Sequence, residues 1–317
     1  MSGPRKTRRI PIFKRPFKFL FNWRPFPLYE LVSYVLMYAS VPMLAYGIQT
    51  YNLSTIKIII LTILTLYSGF FAALIWNDIT DKDIDAIVHP NRPLPNGSIS
   101  SKKFFSIALV FSVMTFVFSL LINFWCFVLV ITAALFVTFH NKYLKKIVKI
   151  PAYSEIFTPL QWIIVPIFGF LAISGFNFQQ IALIVIFTYF ADNAHDLAEG
   201  IHDIEGDLKN NVRTYATSFG EKTASKVSFG MFFISGFLGI LLYIKTILSP
   251  IFLISFIILW LYMLFNSYKL VKAEKTNMKK LGEIIGRKGF DYFLMSYNLI
   301  FIDILMQLIL HRFNLAF

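Results

Sequence analysis

The sequence predicts an all-α membrane protein with nine transmembrane helices and a cytosolic N-terminus. Hydrophobic residues make up 57% of the 317 residues and charged residues only 15%, with a mean hydropathy of +0.65. The apolar residues lie in long runs, and the basic residues fall almost entirely on one face of the predicted bundle. A soluble domain of this length needs far more charged surface, so lipid is the expected solvent.

Each apolar run is close to the roughly 20 residues that a helix needs to cross a bilayer. Backbone that lacks internal hydrogen bonds is not tolerated against lipid, so the runs are predicted to be helices. The nine predicted spans are residues 28–49, 55–76, 103–121, 123–140, 156–174, 178–195, 224–245, 248–268 and 289–310. We therefore expect a basic N-terminal segment, residues 1–27, and a single transmembrane domain, residues 28–317.

Basic residues predict the orientation of the spans, because loops rich in lysine and arginine stay in the cytosol. All but three of the 30 basic residues lie in or beside the N-terminal segment and the longer connections. The connections predicted to be cytosolic are residues 77–102, 141–155, 196–223 and 269–288. This topology, with the N-terminal segment on anionic headgroups, explains the net charge of +13 without a nucleic-acid partner.

Acidic residues cluster where two predicted spans reach the cytosol. Ten of the 17 lie in residues 77–85 and 192–207. In each segment three carboxylates follow the spacing i, i+3 and i+7, which puts them on one face of a continuing helix. They are Asp78, Asp81 and Asp85 in the first segment and Asp196, Glu199 and Asp203 in the second, with Asp207 four residues later.

Two such carboxylate rows indicate a metal site. Like charges at helical spacing repel by several tenths of a kcal/mol per pair, and a divalent cation offsets that repulsion. Mg²⁺ takes carboxylate and phosphate oxygens, so two facing rows would hold a diphosphate together with its metal ions. Solvated loop acids are the simpler alternative. Ca²⁺ is possible in principle, although regular helical spacing differs from a wrapped Ca²⁺ loop.

At these residues the chain resembles the UbiA superfamily of intramembrane prenyltransferases. Residues 77–85 match that family's N-D-x-x-D-x-x-x-D motif, and residues 203–207 match its D-x-x-x-D motif. Residues 92–100 are similar to the segment that follows the first motif, and residues 213–217 to the segment that follows the second. The resemblance covers nearly the whole chain. It implies a nine-helix bundle around a central cavity, with Mg²⁺ and a prenyl diphosphate at the acidic motifs.

The resemblance also implies roles for individual residues. The expected catalytic residues are Asp78, Asp81, Asp203 and Asp207, and the expected metal ligands are these four together with Asp85. The expected contacts of the diphosphate are Asn77, Arg24, Lys145, Lys146, Arg92 and Arg213. For the basic residues, cytosolic topology alone is an equally good explanation of their positions.

One departure from the family pattern concerns the acceptor side. Many members have a Lys-Asp pair just before the second motif, where this chain has Glu199 and Gly200. The same predicted helix instead carries Asp196 and Glu199, either of which is a candidate general base beside the acceptor. We interpret His195 and His202, seven residues apart on one helix face, as polar cavity residues or acceptor contacts, with zinc binding as the alternative.

The predicted function is Mg²⁺-dependent transfer of a prenyl group from a prenyl diphosphate to a lipophilic acceptor, at the cytosolic side of a multi-pass membrane protein. The acceptor stays open among a quinone-precursor aromatic ring, a glycerol-phosphate ether lipid, a chlorophyll-type alcohol and a carotenoid. Residues 92–100 and 203–217 resemble the ether-lipid and chlorophyll branches slightly more. The alternative is a transporter or channel with a cytosolic acidic cation site. The sequence lacks the D-G-x-x-A-R motif of CDP-alcohol phosphotransferases.

Overall fold

The computed structural model describes residue 24 and residues 26–80, 82, 86, 90–144, 147–173, 175 and 177–313. Four predicted site residues lie outside this part of the chain: Asp81, Asp85, Lys145 and Lys146. Twelve α-helices occur in the described residues: α1 (Leu28–Tyr46), α2 (Leu53–Thr80), α3 (Ser101–Ile122), α4 (Phe124–Phe139), α5 (Tyr153–Phe157), α6 (Ile164–Ile173), α7 (Phe178–His202), α8 (Ile204–Lys209), α9 (Tyr215–Phe219), α10 (Glu221–Lys245), α11 (Pro250–Lys272) and α12 (Lys275–Arg312).

Nine segments of the described chain are long and apolar enough to cross a membrane, which confirms the predicted number of spans. The fourth runs from α4 through a π-helical turn at His140–Leu144, and the fifth joins α5 and α6 through a 3₁₀ turn at Thr158–Gln161. The largest difference is α12, which begins at Lys275, whereas the sequence predicted a start at residue 289. Hydropathy reports contact with lipid, so it misses polar helical turns beyond the apolar core.

The membrane-spanning helices of the described chain form a closed ring in chain order. Helix α1 packs on α2, α2 on α3, α3 on α4, α4 on α6, and α6 on α7. The ring continues through α10 and α11 to α12, which packs back on α1. Further contacts, α1 and α2 with α6 and α7 with α12, cross the inside of the ring.

A polar network closes the ring between α1 and α12. Glu30, buried on α1, accepts a 2.7 Å hydrogen bond from Nη2 of Arg287 and a 3.1 Å bond from the hydroxyl of Tyr34. About one turn further along α1, the hydroxyl of Ser33 accepts a 2.9 Å hydrogen bond from the side-chain amide of Asn298 on α12. These bonds place the start of α1 and residues 287–298 of α12 at the same level of the bundle.

Glycines on α12 let the backbone of α7 approach closely. Gly282, Gly286 and Gly289 lie on one face of α12 and contact α7 between His195 and His202. A Cβ atom at Gly282 would lie 2.7 Å from the carbonyl oxygen of Ala198, closer than real Cβ atoms come. Small residues are the usual means of close helix packing in membranes. The helix that carries the second acidic segment is therefore fixed against α12.

Candidate active site at two acidic helix ends

The first acidic segment places Asp78 in the last turn of α2, where it is only 2% exposed. Its Oδ1 atom lies 2.6 Å from Nη2 of Arg24, which precedes α1, and 3.5 Å from Nη1 of Arg92, which follows α2. Burial of a carboxylate requires such partners, because an unpaired buried charge costs several kcal/mol. The structure thus brings together three of the predicted site residues, and Asn77 lies half-buried next to them.

A turn formed by residues 92–99 keeps Arg92 near the end of α2. The amide of Asn96 donates to the carbonyl of Arg92 at 3.0 Å, and the amide of Ile99 donates to the carbonyl of Pro93 at 3.2 Å. Leu94 and Ile99 are buried in a small apolar cluster with Ile75 of α2 and two residues of α3. Ser100 then caps α3 by accepting from the amide of Lys103. The hydrogen bonds and apolar contacts of residues 92–100 therefore hold Arg92 beside Asp78.

The second acidic segment occupies the last turns of α7. His195, almost fully buried, lies with Nε2 3.0 Å from Oδ1 of Asp192 and with Nδ1 3.6 Å from Oδ1 of Asp196. One ligand atom each of His195, Asp196 and Glu199 can be chosen so that all three lie within 4.8 Å of one another. Asp196 is half-buried and Glu199 exposed, so the cluster leads from the bundle interior to the aqueous end.

The chain beyond α7 carries the second D-x-x-x-D motif on a short helix. Asp203 is exposed at the junction of α7 and α8, and Asp207 is half-buried one turn later. The amide of Val212 donates to the carbonyl of Asp207 at 2.9 Å, and Thr214 forms a capping box with Thr217 at the start of α9. The side chain of Arg213 is exposed, while its carbonyl accepts from the amide of Ser154.

Glu155 occupies the space beside Gly200, where many members of the resembled family carry an acidic residue. A Cβ atom at Gly200 would lie 2.5 Å from Oε1 of Glu155. The other oxygen of Glu155 accepts a short hydrogen bond from the amide of Tyr215, at the start of α9. The buried carboxylate of α5 therefore joins α7 to α9, and a side chain at position 200 would displace it.

Contacts place the two acidic helix ends at the same end of the bundle. Arg24, just before α1, reaches Asp78 at the end of α2. The start of α1 is bonded to Arg287 of α12. Lys279, two turns earlier on α12, hydrogen-bonds Glu205 of α8 and lowers the pKa of that exposed carboxylate. The chain of contacts runs from the first acidic segment to the second without crossing the bundle.

An aromatic cluster inside the ring connects the two acidic ends. The ring centroid of Tyr34 lies 4.5 Å from that of Phe70, 6.0 Å from that of Trp162 and 6.4 Å from that of Phe290. The centroid of Phe290 in turn lies 5.0 Å from that of His195, in an edge-on arrangement. Phe70 precedes Asp78 by eight residues, roughly 12 Å along α2. The cluster thus lies deeper in the bundle than the first acidic segment.

The sequence did not identify this aromatic cluster or the pairing of Asp192 with His195. The chain has 36 phenylalanines, most of them at apolar positions that look alike in the sequence, so no local signal separates Phe290 from the rest. Asp192 and His195 are three residues apart on a helix, a spacing at which two side chains lie close enough to hydrogen-bond. That spacing was the only signal available for the pair.

Curated relatives share sequence with this chain over about two thirds of its length. Digeranylgeranylglyceryl phosphate synthase of Saccharolobus solfataricus is 28% identical over 203 residues, which cover 63% of this chain and 67% of the relative. The enzyme of that name from Thermococcus sibiricus is 28% identical over 217 residues, which cover 66% of this chain and 74% of the relative.

Solved structures share the fold. A UbiA homologue from Aeropyrum pernix superposes with a TM-score of 0.65 at 18% identity, over 84% of this chain and 98% of that one. A UbiA homologue from Archaeoglobus fulgidus, bound to DMAPP and Mg²⁺, gives a TM-score of 0.60 at 16% identity, over 87% of this chain and 99% of that one. The profile of the UbiA prenyltransferase family matches residues 36–281, which include α7 and both acidic segments. The chain therefore belongs to the UbiA prenyltransferase family.

Proposed function

We propose that this membrane prenyltransferase attaches a prenyl group from a prenyl diphosphate to a hydroxyl of a glycerol-phosphate lipid. The observation that carries the proposal is the meeting of two acidic helix ends at one end of the bundle, above a shared aromatic cluster. A diphosphate needs cations and hydrogen-bond donors, whereas a prenyl chain needs an apolar, water-poor surface. The two parts of the site meet those two requirements.

The acidic segments are the proposed binding site of the diphosphate and its metal ions. The residues that would hold Mg²⁺ are Asp78, Asp81, Asp85, Asp203 and Asp207. Carboxylates are hard oxygen donors, which fits Mg²⁺ with phosphate oxygens and water completing its coordination. Bound there, Mg²⁺ would stabilise the negative charge of the departing diphosphate as a Lewis acid. A family member binds Mg²⁺ together with DMAPP, which supports this choice.

Basic side chains assist the leaving group. Arg24 and Arg92 already converge on one oxygen of Asp78, so a diphosphate bound there meets two guanidinium groups. Guanidinium forms strong, often bidentate bonds to phosphate. We assign supporting contacts to Asn77 and Arg213, and also to Lys145 and Lys146 on the connection after the fourth span.

We propose that the aromatic cluster lines the site beside the reacting carbon of the prenyl group. As the bond between the allylic carbon and the diphosphate oxygen breaks, positive charge develops on that carbon. The faces of Tyr34, Phe70 and Trp162 stabilise a nearby cation by about 0.5–2 kcal/mol each. They also exclude water, which would otherwise capture the cation. The acceptor hydroxyl oxygen then bonds to the allylic carbon, and its proton passes to a carboxylate, Asp196 or Glu199.

The choice of acceptor follows the relatives. Digeranylgeranylglyceryl phosphate carries two geranylgeranyl groups on glyceryl phosphate, so its formation by prenyl transfer takes a glyceryl phosphate that already bears one. The segments that follow the two acidic motifs also resemble the ether-lipid and chlorophyll branches of the family.

The deciding experiment incubates the purified full-length chain, in lipid nanodiscs with Mg²⁺, with labelled geranylgeranyl diphosphate and one acceptor at a time. The three acceptors are geranylgeranylglyceryl phosphate, a hydroxybenzoate and a chlorophyll-type alcohol. We expect a prenyl ether with the first acceptor, identified by its mass. A product with the hydroxybenzoate alone would contradict the acceptor assignment. Ion flux without any prenylated product would favour the transporter alternative.

Orientation is proposed from the charge distribution, with the N-terminus and the acidic ends in the cytosol. Cys126 is buried and is the only cysteine of the sequence, so Cys126→Ala gives a cysteine-free background in which single-cysteine variants can be built. Ser98→Cys marks the exposed loop at the acidic end, and Gln49→Cys marks an exposed position between α1 and α2 at the opposite end. In intact cells an impermeant thiol reagent should label only the second variant. Labelling of the first alone would reverse the orientation.

A further inference from the structure

We propose that His195, Asp196 and Glu199 bind a divalent transition-metal ion at a site of their own, beside the carboxylates assigned to the diphosphate. One atom of each side chain can be chosen so that all three lie within 4.8 Å of one another. Ligand atoms about 2.1 Å from a shared ion lie at most about 4.2 Å apart, so small side-chain adjustments suffice. The site shares Asp196 and Glu199 with the proton transfer proposed above, but its existence does not depend on that proposal.

The hydrogen bond to Asp192 prepares the imidazole for a metal. Asp192 is completely buried and its Oδ1 lies 3.0 Å from Nε2 of His195. In the neutral tautomer that donates from Nε2 to Asp192, the lone pair of the imidazole lies on Nδ1. Metal-binding histidines almost always make such a bond through their other nitrogen.

The surroundings of the Nδ1 atom of His195 favour a bound cation. It is buried, and in the described part of the chain it has no hydrogen-bond partner. It faces Oδ1 of Asp196 at 3.6 Å, which exceeds hydrogen-bond length. A lone pair and a carboxylate oxygen that face each other inside a helix bundle repel, and a cation between them turns this repulsion into attraction. The separation suits two ligands of one ion.

The surroundings hold two of the ligands in place and leave a route for the ion. Phe290 packs edge-on against His195, and Gly289 admits the backbone of that residue. Gly286 contacts the Cα and Cβ atoms of Glu199 in the same way. Exposure rises from buried His195 through half-buried Asp196 to exposed Glu199, so an ion can enter from the aqueous end.

The donor set distinguishes this site from a magnesium site. An imidazole with two carboxylates suits Mn²⁺, Co²⁺ or Zn²⁺, whereas Mg²⁺ prefers oxygen donors alone. Three protein ligands leave coordination positions for water or for a substrate oxygen. Asp196 and Glu199 would then contact the acceptor through the ion, in place of the proton transfer considered above. A protonated His195 that bridges Asp192 and Asp196 is the competing arrangement.

Pulsed EPR of Mn²⁺ tests the site in the full-length chain without any substrate, because His195 is the nitrogen donor among the three proposed ligands and a coordinated imidazole couples its ¹⁴N nucleus to the ion. We expect ¹⁴N modulation in the unmodified chain and its loss in His195→Gln. We also expect the modulation to persist in His202→Gln, the matched control seven residues along α7, and in Asp203→Asn. Asp192→Asn should weaken Mn²⁺ binding about 10- to 100-fold, as loss of a histidine's supporting partner does in other sites.

Two outcomes would overturn the proposal. One is an unmodified chain that binds Mn²⁺ without ¹⁴N modulation, which would leave a protonated His195 between its carboxylates. The other is modulation that persists in His195→Gln. The first measurement uses the unmodified chain, so the proposal can fail even when a variant does not fold. Turnover enters neither readout, so failure of this site and failure of the proposed prenyl transfer are separable.

Discussion

The two acidic helix ends have the same spacing of carboxylates but different surroundings. At the end of α2, Asp78 is buried and its described contacts are with two guanidinium groups, those of Arg24 and Arg92. At the end of α7, His195 is buried and lies between two carboxylates, those of Asp192 and Asp196. Equal spacing of carboxylates in the sequence therefore does not give equal electrostatics.

Because of this difference, we propose different chemical roles for the two ends. The α2 end already contains cations, which suits it to bind and release an anionic leaving group. The α7 end contains a neutral or cationic imidazole among acids, which suits a metal ion or a proton transfer. Substitutions at the two ends should therefore change different kinetic parameters.

The largest expected effect is the loss of turnover in Asp78→Asn and in Asp203→Asn. Removal of a carboxylate that holds Mg²⁺ takes away several kcal/mol of transition-state stabilisation, so kcat/KM should fall by about 10³-fold or more. Product formation at saturating Mg²⁺ measures this, with Glu283→Gln, an exposed acid on α12 at the same end, as control. Near-native rates in either variant would remove that residue from the site.

Arg24→Gln and Arg92→Gln separate the two guanidinium groups. The bond from Arg24 to Asp78 is 2.6 Å long and that from Arg92 is 3.5 Å, so Arg24 is the more closely placed. A hydrogen bond to a charged group contributes about 1.5–3 kcal/mol. We expect the KM for the prenyl diphosphate to rise about 10- to 100-fold in Arg24→Gln and several-fold in Arg92→Gln. Equal increases of KM in the two variants would mean that both guanidinium groups move to new positions when the diphosphate binds.

Gly282→Val tests whether close packing fixes the α7 end. Even the Cβ atom of the new side chain would lie 2.7 Å from the carbonyl oxygen of Ala198, so α7 or α12 must shift. Overpacking of this kind costs about 1–3 kcal/mol, and thermal unfolding should show a lowered Tm. Gly230→Val on α10 is the matched control, because no atom lies within 4 Å of a Cβ added there. An unchanged Tm in Gly282→Val would show that α7 has room to move.

The smallest expected effect concerns Gly200→Asp, which restores the acidic residue common in the family. The new carboxylate would compete with that of Glu155 for the same space and repel it. Glu155 should then release the amide of Tyr215. Hydrogen exchange of residues 213–219 should become faster, with little change in the rest of the chain. Gly200→Ala adds bulk without charge, so a comparable change in that variant would attribute the effect to sterics.

Much of the fold was predictable because lipid imposes strict rules on a chain. Hydropathy located nine spans, and the structure confirms that number in the part of the chain it describes. The same measure placed the start of the last span 14 residues late, since its polar turns from Lys275 onward are stabilised by packing on α7. The assigned roles of the acidic and basic residues stay predictions.

By itself, the sequence determined the membrane-spanning helices and the helical spacing of the carboxylates, because both are local properties of consecutive residues. The tertiary structure decided which charges meet. Arg24 reaches Asp78 across 54 residues of chain, and Phe290 lies against His195 across 95. Contacts between residues so far apart depend on how the helices close into a ring, and no pattern within a single segment encodes them.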